Sequence, residues 1–352
     1  MFNISRRIGI VLAVALAFGQ AGAIAAKEIK STVVPAEIAS TAAARDGAKL
    51  FWREPTDIRS RDLFFGSGGK AHQPRGPFTF VKEDLKGTNP KFVVRDKNGV
   101  MWKAKLGAEA RPETVASRFV WAVGYFTPDE YFFPSLPVKE KPKQLHRGGN
   151  LAGPGDSYSN VRLKLEHKNE KKVSDWRWRK NHELSPRELN GLRVMMALMN
   201  NWDLKDENNA VYASKNGKSV DKSSEIYMVS DLGATFGASG LGWNHDKSKG
   251  NLKAYTKSKF ITKTTDEYVD FGVPATPALI NIFVLPQFIQ RIGLRDIGKR
   301  VPRRDALWMG QLLARLSPAQ IRDAFRAGGY SPEESQAFAK VVEERIAALN
   351  KL

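Results

Sequence analysis

Apolar and polar residues alternate with period two in three short stretches of the first third of the chain. They are Phe78-Thr79-Phe80-Val81, Lys91-Phe92-Val93-Val94 and Val100-Met101-Trp102-Lys103-Ala104-Lys105-Leu106, and each predicts a strand. Asp96-Lys97-Asn98-Gly99 joins the last two. Its Asn-Gly pair predicts a hairpin, since both residues tolerate the positive φ that tight strand connections need. The period then lengthens to that of a helix. Pro112 suits a first turn, and Val115, Phe119, Ala122 and Val123 recur on one face until Gly124. Residues 134–158 are rich in proline, glycine and lysine and predict a connection, followed by a further strand from Arg162 to His167.

The second half reads as helical. Ser185-Pro186-Arg187-Glu188 predicts a capping box with proline at the first helical position. Leu189, Leu192, Met195, Met196 and Met199 then form a buried stripe, with methionine as core filling rather than a metal box. Ser317-Pro318 and Ser331-Pro332-Glu333-Glu334 start two more helices, separated by Gly328-Gly329. The pattern predicts a small β-rich part with one helix, followed by a larger helical part.

At the N-terminus the pattern is neither strand nor amphipathic helix. Arg6 and Arg7 precede an apolar run from Ile8 to Phe18, followed by Ala21-Gly22-Ala23 and Ala23-Ile24-Ala25. This basic, apolar, small-residue order predicts a cleavable signal peptide over residues 1–26, too short to span a bilayer comfortably. The mature chain is expected to be periplasmic or secreted, with no transmembrane segment.

Composition narrows the chemistry. The 352 residues contain no cysteine, which excludes disulfides, thiolate metal sites and a thiol nucleophile. The 56 basic against 37 acidic residues give a formal charge of +19, which favours phosphate-rich or otherwise anionic partners. His72, His146, His167, His182 and His245 are scattered without metal-ligand spacing, and His245-Asp246 reads as a surface turn. Trp176-Arg177-Trp178-Arg179-Lys180 alternates aromatic and basic residues, as polyanion surfaces do, but two tryptophans two apart suit one packed strand face better.

The most informative segment follows the Met-rich helix: Asn200-Asn201-Trp202-Asp203-Leu204-Lys205-Asp206-Glu207-Asn208-Asn209. Further on, the strand-like Tyr227-Met228-Val229-Ser230 runs into Asp231-Leu232-Gly233. In this order the two stretches resemble the catalytic loop and the Asp-Phe-Gly metal motif of the protein-kinase superfamily. The resemblance covers about residues 76–350. It implies an α+β, two-lobed protein-kinase-like fold: a signal peptide to residue 26, an N-terminal extension over 27–75, a β-rich lobe over 76–170 and a helical lobe over 171–352.

The resemblance also implies roles. Asp203 would orient and deprotonate the acceptor hydroxyl, while Asn208 and Asp231 would hold Mg2+ against the phosphates of ATP or another nucleoside triphosphate. A lysine of the third strand would grip those phosphates and pair with a glutamate of the next helix. Lys105 with Glu113 is the favoured pair, whereas a plain match of Met-Trp-Lys to the family's Val-Ala-Ile-Lys selects Lys103. The phosphate-covering loop falls on Gly87, Thr88 and Asn89, with one glycine where protein kinases use three. No histidine precedes Asp203 and no Ala-Pro-Glu follows Asp231 at the usual place. The chain is therefore expected to be an atypical member, nearer the HipA-like and spore-coat-kinase-like branches, and it also resembles a family of exported bacterial proteins with no assigned substrate.

Two functions of different class follow. One is an exported phosphotransferase with an unspecified acceptor, whose difficulty is the scarcity of ATP outside the inner membrane. The other is a catalytically silent protein of the same fold that binds an anionic envelope component or a protein. Nucleic acid is not an expected partner, because only charge favours it.

Overall fold

The computed structural model describes residues 49–87, 89–142, 145–148, 151–153, 155–166, 170–179, 184–214, 225–237, 248–272 and 296–352. The signal-peptide segment, Thr88, His167, His182 and His245 lie outside the described residues. No helix among the described residues is long and apolar enough to cross a membrane.

In chain order the first elements are β1 (Lys49–Leu50), β2 (Phe78–Glu83), β3 (Lys91–Arg95), β4 (Met101–Leu106), α1 (Ala110–Ala122), β5 (Glu130–Lys139) and β6 (Ser157–Leu165). Strands β2, β3, β4, β6 and β5 close into a barrel, so the sheet of the expected β-rich part has no free edge. The β3–β4 hairpin forms where Asn-Gly predicts it. Asp96 Oδ1 accepts from Asn98 N at 2.9 Å and Val100 N at 3.0 Å, and Gly99 takes φ +77°. Phe92, Trp102, Ala104, Leu106 and Leu163 fill the barrel interior. Because Trp102, Ala104 and Leu106 point inward, the alternate residues Lys103 and Lys105 stand on the outer face.

The expected connection over 134–158 is a correction: β5 continues to Lys139 and β6 begins at Ser157. Proline is tolerated there because β5 meets β2 only at Phe78↔Val138 and Thr79↔Lys139. The other edge of β5 around Pro134 therefore needs no amide donor.

The remaining elements are β7 (Glu170–Ser174), α2 (Pro186–Leu198), β8 (Asn209–Ser214), β9 (Glu225–Val229), α3 (Leu252–Lys257), β10 (Ile261–Thr264), β11 (Tyr268–Phe271), β12 (Val301–Pro302), α4 (Arg303–Leu313), α5 (Pro318–Ala327) and α6 (Pro332–Leu349). The helical reading thus needs two additions, a sheet in the order β1-β9-β8-β7 and another in the order β10-β11-β12. Ser317 and Ser331 make complete capping boxes with Gln320 and Glu334. The Ser185 side chain makes no cap bond to the α2 backbone, and Glu188 Oε1 accepts from Arg187 at 2.7 Å. The fold is a mixed α+β one.

Leu192, Met195, Met196 and Met199 are fully buried, as the stripe predicts. Their core also takes in Phe51, Ile58 and Leu63, so the chain before the barrel is packed from Phe51 onward. Trp176 and Trp178 are buried edge-to-face, with centroids 5.1 Å apart, just beyond β7 rather than within a strand. On α1, Phe119 packs against Phe325 at 5.8 Å. The same helix presents Glu113 to the barrel, and so links the two cores.

Candidate active site

Lys105 occupies the outer face of β4 between Lys91 on β3 and Arg162 on β6. Its side chain is 3% exposed, and a buried ammonium must be compensated. Compensation comes from three carboxylates: Glu109 Oε2 at 2.5 Å, Asp231 Oδ1 at 2.7 Å and Glu113 Oε2 at 3.0 Å. Burial opposes the charge on Lys105, but the three acids outweigh it and raise its pKa. Behind Glu113, the buried Arg162 bridges its Oε2 at 3.1 Å and Glu130 Oε1 at 2.8 Å. Burial pushes Glu130 up to about 7, against the pull of Arg162. Burial pushes the neighbouring Lys164 down to about 8, helped by Arg162.

The second half of the site is held by backbone. After α2 the chain turns at Asn200, at φ +58°, and Trp202 N donates to Ala234 O at 3.2 Å. Asn201 Oδ1 accepts from Asp203 N at 3.0 Å, and Asn208 Nδ2 donates to Asp203 O at 2.7 Å. Ser230 Oγ, just past β9, donates to Asn208 O at 2.7 Å. These bonds bring Asp203, Asn208 and Asp231 to one small cavity, lined also by Trp178, Asn201 and Ser230. Asp203 pairs with Lys205 at 3.0 Å.

Asp231 sits at φ +56°, a left-handed conformation that Asp tolerates better than most residues. Burial raises the pKa of Asp231, but Lys105, with Arg162 and Lys164 behind it, wins and holds it at about 2. Its carboxylate is therefore charged at any ordinary pH. Asn208, its Nδ2 committed to Asp203, keeps its amide oxygen for another partner. One carboxylate and one amide oxygen suit a hard divalent cation. Carboxylate oxygens of Glu109, Glu113 and Asp231 also lie within 4.8 Å of one another, with the Lys105 ammonium among them.

The sequence-expected residues fall as follows. Lys105 meets Glu113, and Lys103 instead reaches Asp84 at 3.0 Å and Glu166 at 3.7 Å, away from that pair. Both lysines share the outer face of β4, but only the Lys105 end meets Glu113 of α1. In the β2–β3 loop, Gly87 O accepts from Arg147, and Asn89 Nδ2 donates to Glu109 Oε2 at 2.8 Å. Sequence reasoning missed Glu109, Glu130, Arg162 and Lys249. Lys249 Nζ lies 2.6 Å from Glu109 Oε1. The spacing Lys105-x-x-x-Glu109 is the one local signal that pointed to any of them.

No protein-family model matches the chain, and no curated protein matches it. Among solved structures it is similar to a Helicobacter pylori proinflammatory kinase, CtkA. The identity is 13%, the TM-score 0.40, and the match covers 78% of this chain and 95% of that one. It is also similar to the Golgi casein kinase, at 10% identity and TM-score 0.33, over 79% of this chain and 73% of that one. A structure of the same kinase with Mn/ADP bound matches at 10% identity and TM-score 0.29, over 78% and 73%. These neighbours are protein-kinase-like; likeness at this level supplies no residue correspondence.

Proposed function

We propose that the protein is an atypical kinase-like phosphotransferase that uses a nucleoside triphosphate, ATP or a relative, with a divalent cation such as Mg2+. The observation that carries this reading is the bridge from Glu113 through Lys105 Nζ to Asp231, beside a loop that presents Asp203 and Asn208 to the same cavity. Phosphoryl transfer is mostly positioning and charge stabilisation, and these residues supply both. Lys105, fixed by Glu113, holds phosphate oxygens. Asp231 and Asn208 hold the cation, which when bound neutralises phosphate charge. Asp203 accepts the proton of the acceptor hydroxyl, with Lys205 3.0 Å away as its ion-pair partner. Export rests on the pattern of residues 1–26, and the acceptor is then an envelope component or a protein.

A second reading is a silent binding protein of the same fold. One observation favours it: three carboxylates already surround the Lys105 ammonium. Calorimetric titration with ATP, with and without Mg2+, separates the two. The phosphotransferase reading expects Mg2+-dependent binding that Asp231→Ala abolishes. Absence of nucleotide binding under both conditions would overturn it.

A further inference from the structure

The Lys105 ammonium donates to Asp231 at 2.7 Å and Glu113 at 3.0 Å, and Glu109 Oε2 crowds it as an ion pair at 2.5 Å. A phosphate oxygen can reach Lys105 only by replacing one of them. Glu113 cannot leave without stranding the buried Arg162, which it meets at 3.1 Å. Asp231 is the carboxylate that the phosphotransferase reading gives to the cation. Glu109 differs from both. It lies in the turn between β4 and α1, and a second cation, Lys249, already holds its other oxygen at 2.6 Å. It can release Lys105 and remain paired.

The surroundings of Glu109 also resemble those of a bound phosphate. Lys249 and the Asn89 amide of the β2–β3 loop donate to one carboxylate that Lys105 also pairs with, at the start of α1, where an anion is favoured. The carboxylate fits because Gly233 has no side chain: a Cβ there would lie 2.6 Å from Glu109 Cβ. Burial disfavours ionisation of Glu109, but Lys105 and Lys249 together lower its pKa, so it competes as an anion.

We propose that Lys105, Asn89 and Lys249 form a phosphate subsite that the Glu109 carboxylate fills in the resting protein, and that the nucleotide binds by displacing it. The inference rests on the phosphotransferase reading and adds to it a further phosphate-binding residue, Lys249, and an internal competitor.

The test is calorimetric titration of ATP, with and without Mg2+, into the wild type, Glu109→Gln, Glu109→Ala and Lys249→Met. Circular dichroism confirms that each is folded. Removing a competitor from the binding-competent state tightens apparent affinity in proportion to the fraction it had blocked. With Mg2+, Glu109→Gln and Glu109→Ala should therefore bind ATP about tenfold more tightly, and Lys249→Met about tenfold more weakly. Wild-type binding with no gain in either Glu109 variant would overturn the inference and leave the phosphotransferase reading standing. Weaker binding of Glu109→Gln with Mg2+ alone would also overturn it, by making Glu109 a metal ligand. Absence of ATP binding in the wild type under both conditions would overturn the inference and that reading together.

Discussion

Lys105 and Asp203 stand at the two ends of the candidate site, and they are held in opposite ways. Lys105 is 3% exposed on a strand paired on both sides, and three carboxylates fix its ammonium. The side chain of Asp203 is 23% exposed on an irregular loop, and Lys205 is its one ion-pair partner among the described residues. What fixes Asp203 is main chain: its own N–H on Asn201, its own carbonyl under Asn208 and the neighbouring Trp202 N–H on Ala234. The lysine end is therefore part of what holds the fold together, whereas the aspartate end is placed by backbone whose bonds survive loss of the carboxylate.

The sharpest way to break this contrast is Lys105→Met, which leaves Glu109, Glu113 and Asp231 crowded without their shared cation. Stranding buried charge costs about 3–5 kcal/mol, and urea unfolding should show a loss of that order. A loss under about 1 kcal/mol would place the cluster among ordinary surface pairs. Next is Gly233→Ala, whose methyl would drive into Glu109 from the Asp231 side. Overpacking of this kind costs about 1–3 kcal/mol, measurable in the same way.

A smaller effect tests how deep the charged end reaches. Glu130 has an ordinary value of 4.5 and is pushed up to about 7 by burial. The folded state then binds more protons than the unfolded state between those values, so this residue makes stability fall as pH rises from about 4.5 to 7. One group contributes at most about 1.4 kcal/mol per pH unit. Thermal melts across that window should show a shallower fall in Glu130→Gln than in the wild type. Identical slopes would exclude Glu130 as the source. The smallest effect belongs to the other end: Asp203→Asn should change stability by less than about 0.5 kcal/mol by the same urea measurement.

What was legible in the sequence divides along the same line. The Asn-Gly hairpin, the face of α1, the Met-rich stripe and the boxes at Ser317 and Ser331 are written within a few residues, where period and capping chemistry act. Asp203, Asn208 and Asp231 were legible for a related reason, since a helix, a loop and a strand ending in Asp-x-Gly succeed one another along the chain. Glu130, Arg162 and Lys249 were not. Each is an ordinary charged residue locally, and it gains meaning only when barrel closure or the approach of residues 248–250 brings it to Glu113 or Glu109. The extent of β5 was hidden by Pro134 and Pro137, which read as breakers unless its unpaired edge is known.

The central claim is that the Lys105 cluster and the Asp203 loop serve one phosphoryl-transfer site. Its most direct test is transfer of the ATP γ-phosphoryl group to water, measured for the wild type and Asp203→Asn, with ATP affinity taken on the same samples. The account predicts affinity unchanged within about twofold and transfer slowed at least about a hundredfold, because the proton acceptor is lost while the phosphate-binding end is intact. Equal transfer rates in the two proteins, or a rate that falls only as far as binding falls, would contradict it.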